Sequence, residues 1–264
     1  MSSLLPPPDV PGADLPVRSA LPATLAAVRE SGTAVLVAPP GSGKTSLLPL
    51  ALADAVDGRV VVAEPRRIAT RAAARRLAEL VGEQPGERIG YALRGERVGG
   101  AAMRVEVVTT GLLVRRLQRD PELPGVAAVV IDECHERHLD ADLLLAFALD
   151  VRATLRPDLA LVATSATPDT AALTRALDAP VVTATSTAHP VDVVWAPPAR
   201  PLPLLPGSRV DPRLLDHVAE VTRRALADGD GDVLVFVPGE REIAAVTRSL
   251  GNVDADVRPL FGRQ

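Results

Sequence analysis

Residues 34–45, AVLVAPPGSGKT, carry the strongest indication of fold in this chain. It joins a short apolar run to a helical pattern, TSLLPLALADA, that starts at Thr45. A strand, a glycine-rich loop and a helix in this order identify a phosphate-binding P-loop. The alternative is a glycine-rich turn that only caps a helix, and this context makes it the weaker one. Ala38 takes the first position of the loop in place of the usual glycine, which costs little if its φ is negative.

The loop residues suit a nucleoside triphosphate. Gly41 and Gly43 allow backbone N–H groups to turn inward around phosphates, and the following helix presents its positive end to them. The ammonium of Lys44 can reach the β- and γ-phosphates, and the hydroxyl of Thr45 can ligate Mg²⁺. We therefore predict ATP and Mg²⁺ as cofactors, with the nucleotide held by Pro40, Gly41, Ser42, Gly43, Lys44 and Thr45.

The basic residues point to the same loop. All but one of the 29 are arginine, and the one lysine is Lys44. A chain so biased to arginine keeps a lysine where a compact ammonium must fit between phosphate oxygens and a planar guanidinium would not. Chance survival of one lysine is the alternative, and it does not explain why that lysine stands in the P-loop.

Short apolar runs alternate with longer helical patterns along most of the chain. The pairs are 34–38 with 45–55, 60–63 with 66–81, 105–108 with 111–119, 127–131 with 141–151, and 159–164 with 170–177. Apolar runs of this length are typical of strands buried on both faces. Their alternation with helices predicts an α/β fold with a doubly wound parallel sheet, which we place at residues 14–185.

The ends of the chain differ from this central part. Residues 1–13 are proline-rich and are predicted to form a flexible N-terminal arm. Residues 186–212 are again rich in proline and are interpreted as a linker with an entry strand at 189–195. A second alternation covers 213–264, with helices at 212–227 and 240–250 and strands at 232–237 and 256–258. Because it stops after about three strands, we expect an incomplete second α/β domain.

Composition limits the classes of function. The net charge of −4 and the pI near 5.6 exclude a basic field over the whole molecule, so any nucleic-acid binding must be local. The sequence has neither an apolar run long enough to span a membrane nor an export signal, so we expect a cytoplasmic protein without membrane contact. One cysteine and four scattered histidines predict no disulfide and no structural metal. Aromatic residues are 2% of the chain, too few for base-stacking platforms, and Trp195 and Phe236 are predicted to be core.

A second motif follows the apolar run 126–131. Asp132 and Glu133 come at the carboxyl end of a predicted buried strand, where doubly wound sheets bind their ligands. Asp132 is suited to hold Mg²⁺, together with Thr45, and Glu133 to orient and deprotonate an attacking water. Taken alone, the two acids could equally cap a helix, but beside a P-loop they favour catalysis by Asp132, Glu133 and Lys44.

Asp132-Glu133-Cys134-His135-Glu136-Arg137 resembles the DEAH box of superfamily 2 ATP-dependent helicases, in the DECH form of the bacterial HrpB type. Further stretches resemble the other motifs of that family in the right order: Glu64-Pro65-Arg66-Arg67 motif Ia, Thr109-Thr110-Gly111 motif Ib, Ser165-Ala166-Thr167 motif III, and Phe236-Val237-Pro238-Gly239 motif IV. The resemblance covers residues 15–262. It implies a RecA-like P-loop NTPase domain, a second RecA-like domain cut short, and a single-stranded nucleic acid as partner, RNA rather than DNA.

The resemblance also implies roles for individual residues. A nucleic-acid backbone would be gripped by Arg66, Arg67, Thr109, Thr110 and Gly111. The alternative for the two arginines is a solvated first helical turn, which the helix dipole disfavours for cations. Coupling between the ATP site and the nucleic acid would fall to His135, Ser165, Ala166 and Thr167. Ser165 and Thr167 could also cap a helix that starts near Pro168, a role that can coexist with coupling. Cys134 is interpreted as a small buried residue.

The resemblance stops before the arginine-rich motif that supplies the finger completing the ATP site of such helicases. From these 264 residues we therefore expect ATP binding with weak hydrolysis. Two other hypotheses remain open. One is a P-loop ATPase of another kind, such as a transporter or partitioning motor; the other is a nucleotide-gated binding module in which the acidic pair is silent.

Overall fold

A computed structural model describes residues 3–185, 190–202, 210–229 and 231–261 of the chain. The chain divides into two compact units, residues 1–188 and 189–264. The first contains an eight-stranded sheet between two layers of helices, and the second contains a pair of helices.

The sheet is almost entirely parallel. Its order is β4-β3-β5-β2-β6-β7-β1-β8, and only β4 runs antiparallel to its neighbour. The strands are β1 Thr33–Val37, β2 Arg59–Glu64, β3 Ile89–Leu93, β4 Glu96–Val98, β5 Val105–Thr109, β6 Val126–Ile131, β7 Ala160–Ser165 and β8 Val181–Thr183. This confirms the predicted doubly wound α/β fold. The carboxyl ends of β1, β2, β5, β6 and β7 consequently share one edge, which we call the carboxyl edge.

Six helices cover the two faces of the sheet. They are α1 Leu21–Ser31, α2 Lys44–Ala55, α3 Arg67–Leu80, α4 Thr110–Arg119, α5 Leu139–Thr154 and α6 Ala171–Leu177. Because successive side chains of a strand point to opposite faces, Leu36 packs with α1, α2 and α3, whereas Val35 and Val37 pack with α4, α5 and α6. Strands that are apolar at every position are what such a two-sided core requires.

Three strands were missed by the sequence analysis: β3, β4 and β8. β3 carries Gly90 in its interior, and a Cβ there would lie 2.4 Å from the sulfur of Met103 and from the carbonyl oxygen of Val98. The glycine therefore allows a close approach rather than ending the strand. β4 and β8 are only three residues long, too short to show a period.

The prediction of a flexible arm is wrong for residues 3–13. Leu4 and Ala13 are buried in the core of the first unit. The carboxylate of Asp54, near the end of α2, accepts the N–H of Leu4 at 2.7 Å and the N–H of Leu5 at 2.9 Å. The segment is also held by Arg76, whose guanidinium donates to the carbonyl of Gly12 at 2.9 Å. Prolines here leave few backbone donors. Asp54 accepts those of Leu4 and Leu5, and carbonyls within the segment accept those of Val10 and Ala13.

We expect Asp54→Ala to lower the free energy of unfolding by about 1 kcal/mol, because it removes a charged acceptor from two backbone N–H groups. Burial raises the pKa of Asp54, but hydrogen bonds from Leu4, Ser3 and Leu5 outweigh it and hold that pKa below its ordinary value of 3.8. A lowered carboxyl pKa stabilises the fold only while the group is ionised. The difference in unfolding free energy between the variant and the wild type should therefore be largest above pH 3.8 and shrink as the pH falls below it. Urea denaturation checks this, with exposed Asp57→Ala as the control. Equal stability of the two variants at neutral pH would contradict it.

The second unit contains α7 Pro212–Asp228 and α8 Glu240–Leu250, which pack through Leu215, Ala219, Val246 and Leu250. The strands predicted at 189–195, 232–237 and 256–258 are wrong: residues 190–195, 232–237 and 256–258 are not in strands, and His189 lies outside the described residues. Trp195 and Phe236 are not core, since their side chains are 86% and 85% exposed. An apolar run becomes a strand only where another strand pairs with it, and the described part of this unit offers none.

Candidate functional site

The P-loop lies at the carboxyl edge, between β1 and α2. Gly41 and Gly43 have φ values of 74° and 93°, in the left-handed region that favours glycine. A Cβ on Gly43 would lie 2.5 Å from the side chain of Leu15, so the position is closed to other residues on steric grounds too. The carbonyl of Ser42 accepts the N–H of Val17 at 3.0 Å. The loop therefore turns its backbone at the start of α2, where the positive end of the helix dipole lies.

Lys44 is the buried cation of this site. It is the first residue of α2 and only 5% of its side chain is exposed. Its Nζ lies 3.0 Å from Oε1 of Glu133, which follows β6 on the carboxyl edge. The structure thus brings together the lysine and the glutamate that the sequence analysis assigned to phosphate binding and water activation.

The predicted magnesium ligands also meet. The Thr45 hydroxyl donates to Oδ2 of buried Asp132 at 2.5 Å. The other carboxylate oxygen accepts the Thr164 hydroxyl and the N–H of Glu133. A hydroxyl and a carboxylate are hard oxygen donors that fit Mg²⁺. Among the described residues, no group of three His, Cys, Asp or Glu side chains could hold a metal ion.

Glu64 is a site residue that the sequence analysis quoted in a motif without giving it a role. It is the last residue of β2 and is buried beside Asp132. Burial, followed by the charge of Asp132 and a hydrogen bond with it, raises the Glu64 pKa to about 9, while Lys44 lowers it. The surroundings of Glu64 therefore favour the neutral, protonated form of its carboxyl group. The sequence signal for this residue was a glutamate at the carboxyl end of a valine-rich predicted strand.

His135 connects the acidic motif with the segment after β7. Its Nδ1 lies 3.2 Å from Oε2 of Glu133 and 3.2 Å from the backbone N of Ala166, which donates to it. The Ser165 hydroxyl closes the next turn by donating to the carbonyl of Thr167 at 2.9 Å. These four predicted coupling residues are thus adjacent. The alternative capping role is wrong, because α6 starts at Ala171 and neither hydroxyl caps it.

Cys134 is buried, as predicted. Its thiol donates to the carbonyl of Ile131 at 3.2 Å. Burial raises the pKa of this thiol to about 12, so it is not an available nucleophile.

The residues predicted to grip nucleic acid also lie on the carboxyl edge. Arg66 is the N-cap of α3 and Arg67 is its first residue, with Pro65 between Arg66 and the end of β2. Thr109 ends the adjacent strand β5, paired in register with Glu64. Thr110 and Gly111 begin α4, and a Cβ on Gly111 would lie 2.7 Å from the carboxylate of Asp140. A cleft of about 400 Å³ extends from the start of α2 to Arg66; Arg67, Thr109, Thr110 and Gly111 do not line it. It is lined by Thr45, Ser46, Glu64, Arg66, Glu133 and Glu136, among others.

A glycine-rich loop at a helix N-terminus, a buried lysine and a Thr–Asp pair at the carboxyl edge of a doubly wound sheet define the class of the P-loop nucleoside triphosphatases. Residues 18–175, more than half of the chain, match the DEAD/DEAH box helicase family, and the chain belongs to it. Among the described residues, no helix is both long enough and apolar enough to cross a membrane.

Curated relatives and solved structures agree with this assignment. The chain is 43% identical to the ATP-dependent RNA helicase HrpB of Escherichia coli K12 over 254 residues, which are 94% of this chain and 30% of that protein. It is 34% identical to the probable ATP-dependent RNA helicase DHX34 of Homo sapiens over 224 residues, 84% of this chain and 20% of that one. A crystal structure of the Escherichia coli DEAH/RHA helicase HrpB superposes with a TM-score of 0.78 at 44% identity, covering 89% of this chain and 29% of that one. The chain spans under a third of the length of each.

Proposed function

We propose that this chain is the ATP-binding core of an ATP-dependent RNA helicase, which hydrolyses MgATP in response to single-stranded RNA. The observation that carries the proposal is the position of Lys44: it lies 3.0 Å from Glu133, beside the Thr45–Asp132 pair. The names of the relatives support RNA over DNA as the nucleic acid.

The ion pair between Lys44 and Glu133 suggests how binding prepares hydrolysis. In the absence of nucleotide, the ammonium neutralises the carboxylate that would act as the base. The β- and γ-phosphates offer Lys44 a stronger, multiply charged partner, so nucleotide binding would release Glu133 to orient a water and accept its proton. Thr45 and Asp132 would hold Mg²⁺, which neutralises charge on the phosphates when it is bound.

The nucleic acid would be held through its backbone. Arg66 and Arg67 offer guanidinium groups along one edge, and Thr109 offers a hydroxyl. The side chain of Thr110 is buried, so Thr110 and Gly111 would contribute the backbone N–H groups at the start of α4. Contacts of this kind bind phosphates without reading the sequence of bases. His135, Ser165, Ala166 and Thr167 join the same edge to Glu133 and would carry the coupling between strand binding and hydrolysis.

The proposal is tested by single-turnover hydrolysis of MgATP with the protein in excess, alone, with single-stranded RNA and with single-stranded DNA. We expect RNA to raise the rate and DNA to raise it less. A rate that neither nucleic acid changes, in a protein that binds neither, would favour a P-loop ATPase of another kind.

We expect Arg66→Ala to weaken the binding of single-stranded RNA and to make it less dependent on salt. Removing one phosphate contact should reduce the slope of log affinity against log salt by about 0.7. Fluorescence anisotropy of a labelled oligouridylate at several salt concentrations measures this. Arg29→Ala, at the end of α1 on the opposite edge of the sheet, removes the same charge and should leave the slope unchanged. Equal slopes for both variants would show that Arg66 does not contact an RNA phosphate.

A further inference from the structure

Arg66 is held by a carboxylate of its own chain. Its Nη2 lies 2.7 Å from Oε1 of Glu136, and the two side chains are 68% and 24% exposed. The second oxygen of Glu136 lies 2.7 Å from Nε2 of His138. A single carboxylate thus engages two basic side chains on the edge where a phosphate would bind.

Glu136 belongs to the same short turn as the proposed base. Cys134–Glu136 form one turn of 3₁₀ helix, in which the N–H of Glu136 donates to the carbonyl of Glu133 at 3.0 Å. The turn is bounded by Glu133 and Arg137, with φ values of 54° and 52°, an uncommon conformation for residues other than glycine. Arg66 comes from a different element, the start of α3. The ion pair therefore joins the 3₁₀ turn to the start of α3, and this link is lost when the ion pair breaks.

We propose that Glu136 occupies the place of a nucleic-acid phosphate on Arg66, so that an incoming strand must displace this carboxylate. The inference rests on the proposed function in taking Arg66 as a phosphate contact. Carboxylate and phosphate bind a guanidinium through the same donors, so they compete for Arg66. Because Arg66 is largely exposed, the ion pair is weak, and the competition tunes affinity rather than preventing binding. Arg137 shows the same arrangement nearby, with its Nη2 3.0 Å from Oδ2 of Asp142.

The experiment measures the affinity of the 264-residue chain for a fluorescein-labelled oligouridylate at low salt, without nucleotide. We expect Glu136→Gln to bind about two- to fivefold more tightly than the wild type, which is the range an exposed ion pair supports. The gain should vanish in the Arg66→Ala background, because the competition requires that guanidinium. Glu136→Asp, which keeps the charge but shortens its reach, should fall between the wild type and Glu136→Gln.

Asp158→Asn is the matched control. Asp158 also lies 2.7 Å from an arginine, Arg156, but precedes β7 on the opposite edge of the sheet. The substitution Asp158→Asn changes the net charge by the same amount as Glu136→Gln and should not change the affinity for the oligouridylate.

Two results would overturn the inference. One is an affinity of Glu136→Gln equal to or weaker than that of the wild type while Arg66→Ala still weakens binding. The other is a gain that persists in the Arg66→Ala background or appears equally in Asp158→Asn, which would reflect net charge alone. Failure of the proposed function looks different: the wild type would not bind the oligouridylate, and Arg66→Ala would change nothing.

Discussion

Replacing Lys44 with alanine is expected to lower the affinity for MgATP by roughly 30- to 5,000-fold. Truncating one partner of a buried, hydrogen-bonded charge pair costs about 2–5 kcal/mol, which corresponds to that range. Lys44 meets the condition, since 5% of its side chain is exposed and its Nζ is aimed at the carboxyl edge. Titration with a fluorescent ATP analogue measures the loss.

Lys44→Arg separates charge from shape. The chain uses arginine for every other basic residue, so a guanidinium that worked in the P-loop would be in keeping with its composition. We expect it not to restore binding, because the planar group does not fit between the phosphates as an ammonium does. Arg29→Ala controls for loss of one positive charge. A change of less than about threefold in Lys44→Ala would contradict the assignment of this residue.

Glu133→Gln should lower turnover by about 10²–10⁴, the usual contribution of a general base, while MgATP binding is retained. Glutamine has nearly the same shape, but its neutral amide is too weak a base to accept the proton of water. Binding should be as tight as in the wild type or tighter, because Lys44 loses the carboxylate that competes with the phosphates. Single-turnover hydrolysis and equilibrium binding measure the two quantities separately.

Asp158→Asn, on the opposite edge of the sheet, is the control for charge removal and should hydrolyse ATP at the wild-type rate. Wild-type turnover in Glu133→Gln would instead favour the nucleotide-gated binding module, in which the acidic pair is silent.

In the first unit, the features that could be predicted are those determined by residues close together in the sequence. Residues 34–45 contain strand, loop and the start of a helix in one continuous stretch. Glycine, lysine and threonine in this order between a strand and a helix are specific for a P-loop. The α/β class followed from predicted strands in which apolar residues follow one another instead of alternating with polar ones, because such strands need a helical layer on each face. Asp132 and Glu133 were predicted as site residues because they follow a buried strand, β6, at its carboxyl end.

The features that were missed depend on partners distant in sequence. Arg66 and Glu136 are 70 residues apart, and nothing near either of them predicts the ion pair. The raised pKa of Glu64 arises from its burial against Asp132, which only the register of β2 and β6 establishes. Proline content predicted a flexible N-terminal arm because proline lacks the backbone donor that helices and strands require. It gives no sign of the acceptor that Asp54 provides from α2.

The strands predicted in the second unit failed for a related reason. The run at 232–237 has the composition of a buried strand, but strand formation depends on a neighbouring backbone to pair with. Phe236, 85% exposed, shows that apolar composition alone does not bury a side chain.

If Lys44 lies in the nucleotide site, bound nucleotide must shield its ammonium, and the sequence allows this shielding to be measured directly. Lys44 is the only lysine, so an amine-directed acylating reagent can modify just this side chain and the amino terminus, which serves as an internal reference. Mass spectrometry follows the rate of acylation of each amine with and without MgATP. We predict that MgATP slows modification of Lys44 by about tenfold or more, as occupancy of the site at many times the Kd requires, and leaves the amino terminus unaffected. An unchanged rate at Lys44 under saturating MgATP would show that this lysine does not lie in the nucleotide site.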